Sequence, residues 1–458
     1  MKSTARMLDI LDRSLSGPLC DEQEYDLKFI AEGVASVVKK YDIKFNKQQL
    51  IQQDDDMIDR VWQAAVELFE YTGVYHTNTG RRITFTRDEI EANIADAPAA
   101  AATGWGREHR LIQHREVEDS RPPIQAGGPI GTVIREDMYL PVHLSYIKEP
   151  LVDLIVAGTF ATTHGRPVRS ESPWEIFAAW EEIDLLGPGT AGQGREGMCI
   201  LAVENAISEV GHMSAVSRGG FRQTDIAIVA MIGELKVSNG LLEKVTHSLR
   251  TSDTLWAFYN PILGGLAGGE EGTAVLLTAG MIACRMVYMT DFHSSAPVHP
   301  FLFNTTGPEL LRAQSVSTAA ISRNSHLMTV LSTSPAGGPG TETLLYECLA
   351  MGVLGSATGV SVAQGVRSAV GVVENHVSGL EQRFNAEVSH AAAGMSRKQA
   401  DGIVKKALEQ YEPLMGAKPV GQPFWEVYDI LTLEPTTEWL GTYEKVKEQA
   451  IAWGLPLN

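Results

Sequence analysis

The residue pattern Thr254-Leu255-Trp256-Ala257-Phe258-Tyr259 reads as a strand that puts Thr254, Trp256 and Phe258 on one face. Aromatic side chains facing into a barrel more often fill core layers. Near an open end, they can instead hold a cation against their π faces. Three glycine-rich loops follow predicted strands: Gly127-Gly128-Pro129, the stretch Gly264-Gly265-Leu266-Ala267-Gly268-Gly269, and Ala336-Gly337-Gly338-Pro339-Gly340. Such loops let a backbone come close to a large, flat or anionic ligand, although turn geometry alone explains any one of them. Of 12 histidines, His143, His293 and His299 fall near predicted strand ends or these loops. A single histidine there is more often a hydrogen-bonded structural residue than a ligand, and the sequence does not choose among the three. No Gly-x-Ser-x-Gly, P-loop or His-Glu-x-x-His motif occurs.

Composition narrows the chemistry further. A net charge of −18 argues against nucleic acid and against an anionic membrane surface, and fits a soluble cytosolic protein. The four cysteines, Cys20, Cys199, Cys284 and Cys348, form no Cys-x-x-Cys pair and have no histidine at ligand spacing. Neither a zinc site nor a disulfide framework is expected, and no metal is assigned. Met1 to Asp12 is charged and lacks an apolar core of signal-peptide length. The longest apolar window, Ala274 to Met289, is interrupted by Thr278, Gly280 and Arg285, and reads as a buried helix rather than a membrane span.

Hydrophobic period and turn residues divide the chain into three regions. Residues 1–120 read as mainly helical, with apolar residues at three- and four-residue spacing in Glu24–Tyr41 and Asp55–Tyr71, and a helix start at Thr86-Arg87-Asp88-Glu89. Arg121-Pro122-Pro123 marks a boundary. From 121 to 395, short apolar runs alternate with helical periods. Expected strands are Ile124–Ala126, Pro167–Ser170, Met198–Ala202, His212–Val216, Thr254–Tyr259, Phe292–Val298, Leu327–Ser332 and Gly359–Ala363. Expected helices are Pro150–Thr162, Trp174–Leu186, Thr224–Lys236, Leu241–Leu249, Gly272–Met289, Pro308–Arg323, Glu342–Leu354 and Gly379–Ala393. Roughly eight β-then-α units fit an α/β fold of the TIM (β/α)8 barrel type. A doubly wound open sheet is the alternative, but its Gly-x-Gly-x-x-Gly turn is missing. Residues 396–458 form a helical extension on the barrel, beginning with Arg397–Tyr411.

Met198–Ala202, approached through Gly194-Arg195-Glu196-Gly197, has the length of a strand buried on both faces. It ends in Glu204-Asn205, so polar residues stand at a strand's carboxyl end, where α/β proteins bind ligands.

Several of these segments carry a resemblance that covers nearly the whole chain. They include Gly127-Gly128-Pro129, Pro141-Val142-His143-Leu144-Ser145-Tyr146, Gly194-Arg195, Gly197-Met198, Thr224-Asp225 and Glu234-Leu235-Lys236. Pro261-Ile262, Gly264-Gly265, Ala267-Gly268-Gly269, Pro297-Val298-His299, Thr341-Glu342, Gly379, Glu381, Arg383, Tyr428-Asp429 and Pro435-Thr436 continue it. In order and spacing the chain resembles the monomethylamine:corrinoid methyltransferases of methanogens. The resemblance implies a TIM barrel and a homo-oligomer, a hexamer in the family. It implies no tightly bound cofactor, and methyl transfer from a small methylated substrate to the Co(I) of a separate corrinoid protein. It also implies that the glycine loops at Gly127, Gly128, Gly264, Gly265, Gly337 and Gly338 face that corrinoid.

The departures from the family matter as much. Leu201 stands where the resemblance places a pyrrolysine, whose imine can bind an amine. The family's acidic site residues fall on Ile228 and Phe258, and its polar ones on Ser332 and Ser334. No catalytic residue carries over. Leu201, Ile228, Trp256, Phe258, Ser332 and Ser334 are therefore expected to form a substrate pocket without pyrrolysine. A quaternary ammonium suits it, since such a donor leaves as a neutral amine, needs no proton and cannot form an imine adduct. A thioether or O-methyl donor is the alternative within the reaction class, and a non-catalytic binding barrel the alternative outside it.

Overall fold

The computed structural model describes residues 3–201, 208–217 and 220–457. Eight parallel strands close into a ring in chain order: β1 (Ile124–Gly127), β2 (Leu154–Val156), β3 (Cys199–Leu201), β4 (Ile226–Met231), β5 (Thr254–Tyr259), β6 (Phe292–Ser295), β7 (Met328–Ser332) and β8 (Val362–Gly365). β8 pairs back onto β1, with Gln364 opposite Ala126. A helix follows each strand: α1 (Tyr139–Ile147), α2 (Pro173–Gly192), α3 (Glu209–Ser217), α4 (Asn239–Thr251), α5 (Glu270–Tyr288), α6 (Pro308–Asn324), α7 (Glu342–Ala357) and α8 (Gly379–Ala391). This is the expected (β/α)8 barrel, not the open sheet.

Alternation along the strands makes two cores. Leu154, Val156, Cys199, Leu201, Ile226, Trp256, Phe292, Val330 and Val362 point inward and fill the barrel. Leu255, Ala257 and Tyr259 point outward into the layer shared with the helices.

Two pairs of expected elements are corrected. Pro150–Thr162 is not a helix, because it contains β2, and Pro167 belongs to a small ladder with Thr162 outside the barrel. Thr224–Lys236 is likewise not a helix, because it contains β4, whereas His212–Val216 lies inside α3. The cause is the same in each case. A strand buried on both faces is a continuous apolar run, and period cannot separate it from a buried helix.

An aspartate stands immediately before β2, β4 and β6, and each accepts a backbone N–H from the preceding strand. Asp153 Oδ2 accepts from Gln125 at 2.9 Å, Asp225 Oδ1 from Ile200 at 2.9 Å, and Asp291 Oδ2 from Leu255 at 2.8 Å. These carboxylates satisfy donors at the amino-terminal end of the ring, where the strands begin and no ladder partner is available. The same end is closed by a hairpin, Ala100–Thr103 with Arg110–Gln113, whose Ile112 enters the interior core. Thr103 donates its hydroxyl to Thr224 O at 2.7 Å, and Trp105 N–H donates to Gly197 O at 3.0 Å.

The first 120 residues share one hydrophobic core with the barrel. Thr86 caps a helix over Arg87–Ala95 in a reciprocal capping box with Glu89, as its sequence predicts. Helices Gly33–Lys40 and Asp55–Thr72 pack over α5, and Asp55–Thr72 also covers α6. That cover explains the apolar window of α5, a barrel helix buried on its outer as well as its inner side. Val74–His76 adds a parallel ladder to Lys236–Val237 after β4. Helix Arg397–Met415 of the carboxyl-terminal extension covers α7 in the same way.

Candidate functional site

With the amino-terminal end plugged, the carboxyl ends of the strands hold a cavity of about 420 Å3. Ile228 and Ala230 of β4, Phe258 of β5 and Gln364 of β8 form its floor and walls. Loop residues Ile130, Gly131, Thr159, Asn260, Ala296, Val298, Thr305, Ser334 and Arg367 complete it, with Leu241 and Lys244 of α4. Ligand sites of parallel barrels are built at this end, because the loops that follow the strands are free to vary without disturbing the core.

The polar part of the wall is a connected set. Thr305 donates its hydroxyl to Ser332 O at 3.1 Å and accepts Ser334 N–H at 3.0 Å. Ser332 donates its own hydroxyl to Gln364 Oε1. Gln364 Nε2 is buried and has no partner among the described residues. Asn260 Nδ2 donates to Ala296 O at 2.9 Å. Arg367 Nε donates to Ile130 O at 3.1 Å. Lys244 and Arg367 are the charged residues of this lining among the described residues, and neither an aspartate nor a glutamate joins them.

The expected site residues divide by depth. Ile228, Phe258 and Ser334 line the cavity. Leu201 closes β3 and is buried in the interior core. Ala202, Glu204 and Asn205 lie outside the described residues. Trp256 also faces inward but lies below the cavity, fully buried, with its indole Nε1 donating to Ser294 Oγ at 2.5 Å. Its cation-holding role is corrected, since a ring packed against Phe292 in the core has no face to offer a ligand. Ser332 serves the wall through Gln364 rather than lining it.

The glycine loops divide too. A Cβ on Gly128 would come within 2.0 Å of Val156 O, and one on Gly127 within 2.8 Å of Gln382. On Gly337 it would approach Leu344 N to 2.6 Å, and on Gly338 Val420 O to 1.7 Å. These four glycines permit close packing inside the protein and do not face outward as expected. Gly337 is held from below as well. Glu347 accepts Gly337 N–H and Ala336 N–H, each at 2.8 Å, and the Thr306 hydroxyl at 2.5 Å. Burial pushes the Glu347 carboxyl up to about 7 against these donors, which favour its ionised form. Gly264 and Gly265 are exposed, in a loop tied to the cavity wall by Leu263 N–H donating to Val298 O at 3.0 Å.

All three histidines prove to be bonded within the fold. His143 has Nδ1 at 2.6 Å from Tyr139 O and accepts Gly158 N–H on Nε2 at 2.9 Å. Those partners fix a neutral ring protonated on Nδ1, and burial holds its pKa down to about 4. His293 is buried with Nδ1 at 3.3 Å from Met328 O, and His299 accepts Leu302 N–H at 3.1 Å. Among the described residues no group of three or more His, Cys, Asp or Glu side chains converges as a metal site. No helix among them is long and apolar enough to cross a membrane.

Sequence reading missed Lys244, Gln364 and Arg367. Gln364 and Arg367 were detectable in principle, because a strand running to Gly365 instead of Ala363 would have put both at a carboxyl end. Lys244 sits inside a helix and carries no local signal.

Residues 5–455 match the family model described as monomethylamine methyltransferase MtmB. Monomethylamine methyltransferase MtmB2 of Methanosarcina acetivorans is 33% identical over 447 residues, which cover 98% of this chain and 97% of the relative. Monomethylamine methyltransferase MtmB1 of Methanosarcina barkeri is 33% identical over the same shares. The crystal structure of the Methanosarcina barkeri monomethylamine methyltransferase superposes with a TM-score of 0.95 at 32% identity, covering 98% of both chains. A crystal structure of a hydroxylamine complex of MtmB gives the same TM-score and coverage.

Proposed function

The chain belongs to the monomethylamine methyltransferase family and is a methyltransferase, and from that premise we propose that it moves a methyl group from a quaternary N-methylated donor to the Co(I) of a separate corrinoid protein, without pyrrolysine. The observation that carries this reading is the cavity wall itself. Ile228 and Phe258 form it, and no carboxylate joins them among the described lining residues.

Demethylation by Co(I) is an in-line displacement at the methyl carbon. The C–N bond breaks and its electron pair stays on nitrogen, which departs as a neutral tertiary amine. Cobalt supplies both electrons of the new Co–C bond, so Co(I) becomes methyl-Co(III). No proton moves. A primary methylammonium could leave as neutral ammonia by the same displacement, but its three N–H donors need acceptors that Ile228 and Phe258 do not supply, and Leu201 cannot bind the free amine covalently. The chain therefore has to hold the methyl group, exclude water and leave the nitrogen unencumbered. Phe258 offers a π face to the cation without demanding a hydrogen bond, and Ile228 and Ala230 add apolar surface beside it. The corrin arrives as a substrate on its own protein, and the exposed Gly264–Gly265 turn beside Val298 suits such an approach.

The test is a donor panel with a reconstituted corrinoid protein reduced to Co(I), read by the visible spectrum of methyl-Co(III). Transfer from quaternary donors and very little from monomethylamine is expected. Efficient transfer from monomethylamine would overturn the reading, and binding without transfer from any donor would favour a non-catalytic barrel.

A further inference from the structure

One buried carboxylate holds the cavity wall from behind. Glu347 of α7 takes a backbone N–H on each oxygen: Ala336 donates to Oε1 and Gly337 to Oε2, both at 2.8 Å. The Thr306 hydroxyl also donates to Oε1, at 2.5 Å. Thr306 Oγ1 itself accepts the Asn304 amide at 2.9 Å, which leaves its proton for Glu347. A backbone N–H cannot become an acceptor, so a proton on either oxygen of Glu347 weakens one of these bonds. The residues it holds adjoin the lining: Thr306 follows Thr305, and Ala336 is close after Ser334. The clamp reaches the next loop as well. Gly337 O accepts Ala369 N–H at 2.8 Å, and Pro335 O accepts Val370 N–H at 2.9 Å. Ala369 and Val370 have φ of +49° and +50°, a region that a β-branched residue rarely adopts. The loop after β8, which begins with Arg367, therefore keeps its shape through those two bonds to the loop after β7.

Resting on the methyl-transfer reading only for what the cavity binds, we propose that Glu347 is a positioning residue for the methyl donor: its ionised carboxylate fixes the loops that carry Thr305, Ser334 and Arg367 to the cavity, and the donor binds that ionised form. The loops after β6 and β7 offer Glu347 only N–H and O–H donors. The titratable groups facing it are Tyr411 of helix Arg397–Met415, Cys348 on α7 and, beyond Cys348, Glu381 of α8. Burial pushes Tyr411 and Cys348 well above their usual values, so both stay neutral near pH 7. Burial also pushes Glu381 up to about 7, but its partners differ. Glu381 Oε1 accepts Ser378 N–H at 2.5 Å and the Ser368 hydroxyl at 3.0 Å, whereas Oε2 meets the Ser378 hydroxyl. A hydroxyl can turn to accept, so Glu381 carries a proton on Oε2 without opposing an N–H. Of the two carboxylates, only Glu347 needs its charge to keep its partners.

Tetramethylammonium titrated calorimetrically into the full chain from pH 6 to pH 8 tests this without any corrinoid protein. A carboxyl of about 7 whose ionised form alone binds makes the dissociation constant about tenfold larger at pH 6 than at pH 8. Titrations in buffers of different ionisation enthalpy should show about half a proton released per ligand bound at pH 7. Glu347→Gln should bind weakly and without pH dependence, and Glu381→Gln should keep the tenfold change. A constant affinity from pH 6 to pH 8 in the unaltered protein would overturn the proposal whether or not the variants fold. So would a pH dependence that survives Glu347→Gln and disappears in Glu381→Gln. If tetramethylammonium binds at no pH, the quaternary-donor reading falls and hydrogen exchange decides the clamp. Corrected for intrinsic rates, protection of residues 333–341 and 366–372 in the unaltered protein should then be lower at pH 6 than at pH 8, and equal protection would overturn the clamp. Binding that depends on pH as expected, with no methyl transfer to Co(I), would sustain the positioning role and count against the transferase reading.

Discussion

Ile228 and Trp256 are register partners on adjacent strands of the barrel, yet only Ile228 reaches the cavity. Trp256 turns its indole N–H to Ser294 and its ring to Phe292. One step further along the same face, Phe258 takes over the wall. The boundary between packed core and binding site therefore runs between Trp256 and Phe258 of a single strand.

Trp256→Phe should behave as a core substitution. It vacates volume and strands the Ser294 hydroxyl, at a cost of about 1–3 kcal/mol of stability. Chemical denaturation should show that loss, while the affinity for a methylated cation stays within about twofold. A large loss of affinity in a variant of unchanged stability would put Trp256 back in the site.

Phe258→Ala should do the opposite. It removes the π face and should weaken binding of a methylated cation by about 0.5–2 kcal/mol. Phe258 is only partly buried, so the denaturation midpoint should move little. Titration calorimetry on the folded variant reads the first quantity.

Ile228→Glu would add a carboxylate to the wall. Tetramethylammonium and choline should then bind about three- to tenfold tighter, because a counter-charge now faces the cation. Monomethylamine should remain a poor methyl donor even if it binds better. Leu201→Lys should not rescue it, since a lysine amine has no electrophilic imine carbon.

His143 sets a pH dependence on the acid side. Its folded-state pKa is depressed to about 4 from an ordinary 6.5, so the unfolded chain takes up the proton first. Its contribution to stability is full above about pH 6.5 and is lost as pH falls toward 4. Protonation would also place an N–H against the Gly158 N–H that Nε2 now accepts. Melting temperatures recorded from pH 7 to pH 4 should fall less steeply in His143→Gln, from a lower starting value.

Asp225 anchors the start of β3 and β4. It is fully buried, accepts Ile200 N–H and Arg222 N–H, and pairs with the Arg222 guanidinium at 2.9 Å. Asp225→Ala leaves those donors unmet and should cost about 2–4 kcal/mol by urea denaturation. Asp225→Asn keeps one acceptor and should cost less. Equal stability of Asp225→Ala and the parent would show that the aspartates before β2, β4 and β6 are incidental.

The alternation of β5, the buried character of α5 and the helix start at Thr86 were legible in the sequence, because each is a local pattern of period or spacing, whereas the barrel class rested on the repeated β-then-α order together with the family resemblance. Depth along a strand and the neighbours a residue meets emerge only on folding. Period 2 puts Trp256 and Phe258 on one face but does not say where the core stops along it. The same burial on both faces that makes β2 and β4 good barrel strands erased the alternation that would have revealed them. Gly337 and Gly128 read as open loops until packing against Leu344 and Val156 shows why they lack a side chain. Lys244, Gln364 and Arg367 come from segments more than a hundred residues apart, and only ring closure between β8 and β1 brings the two distant parts of the chain to one cavity.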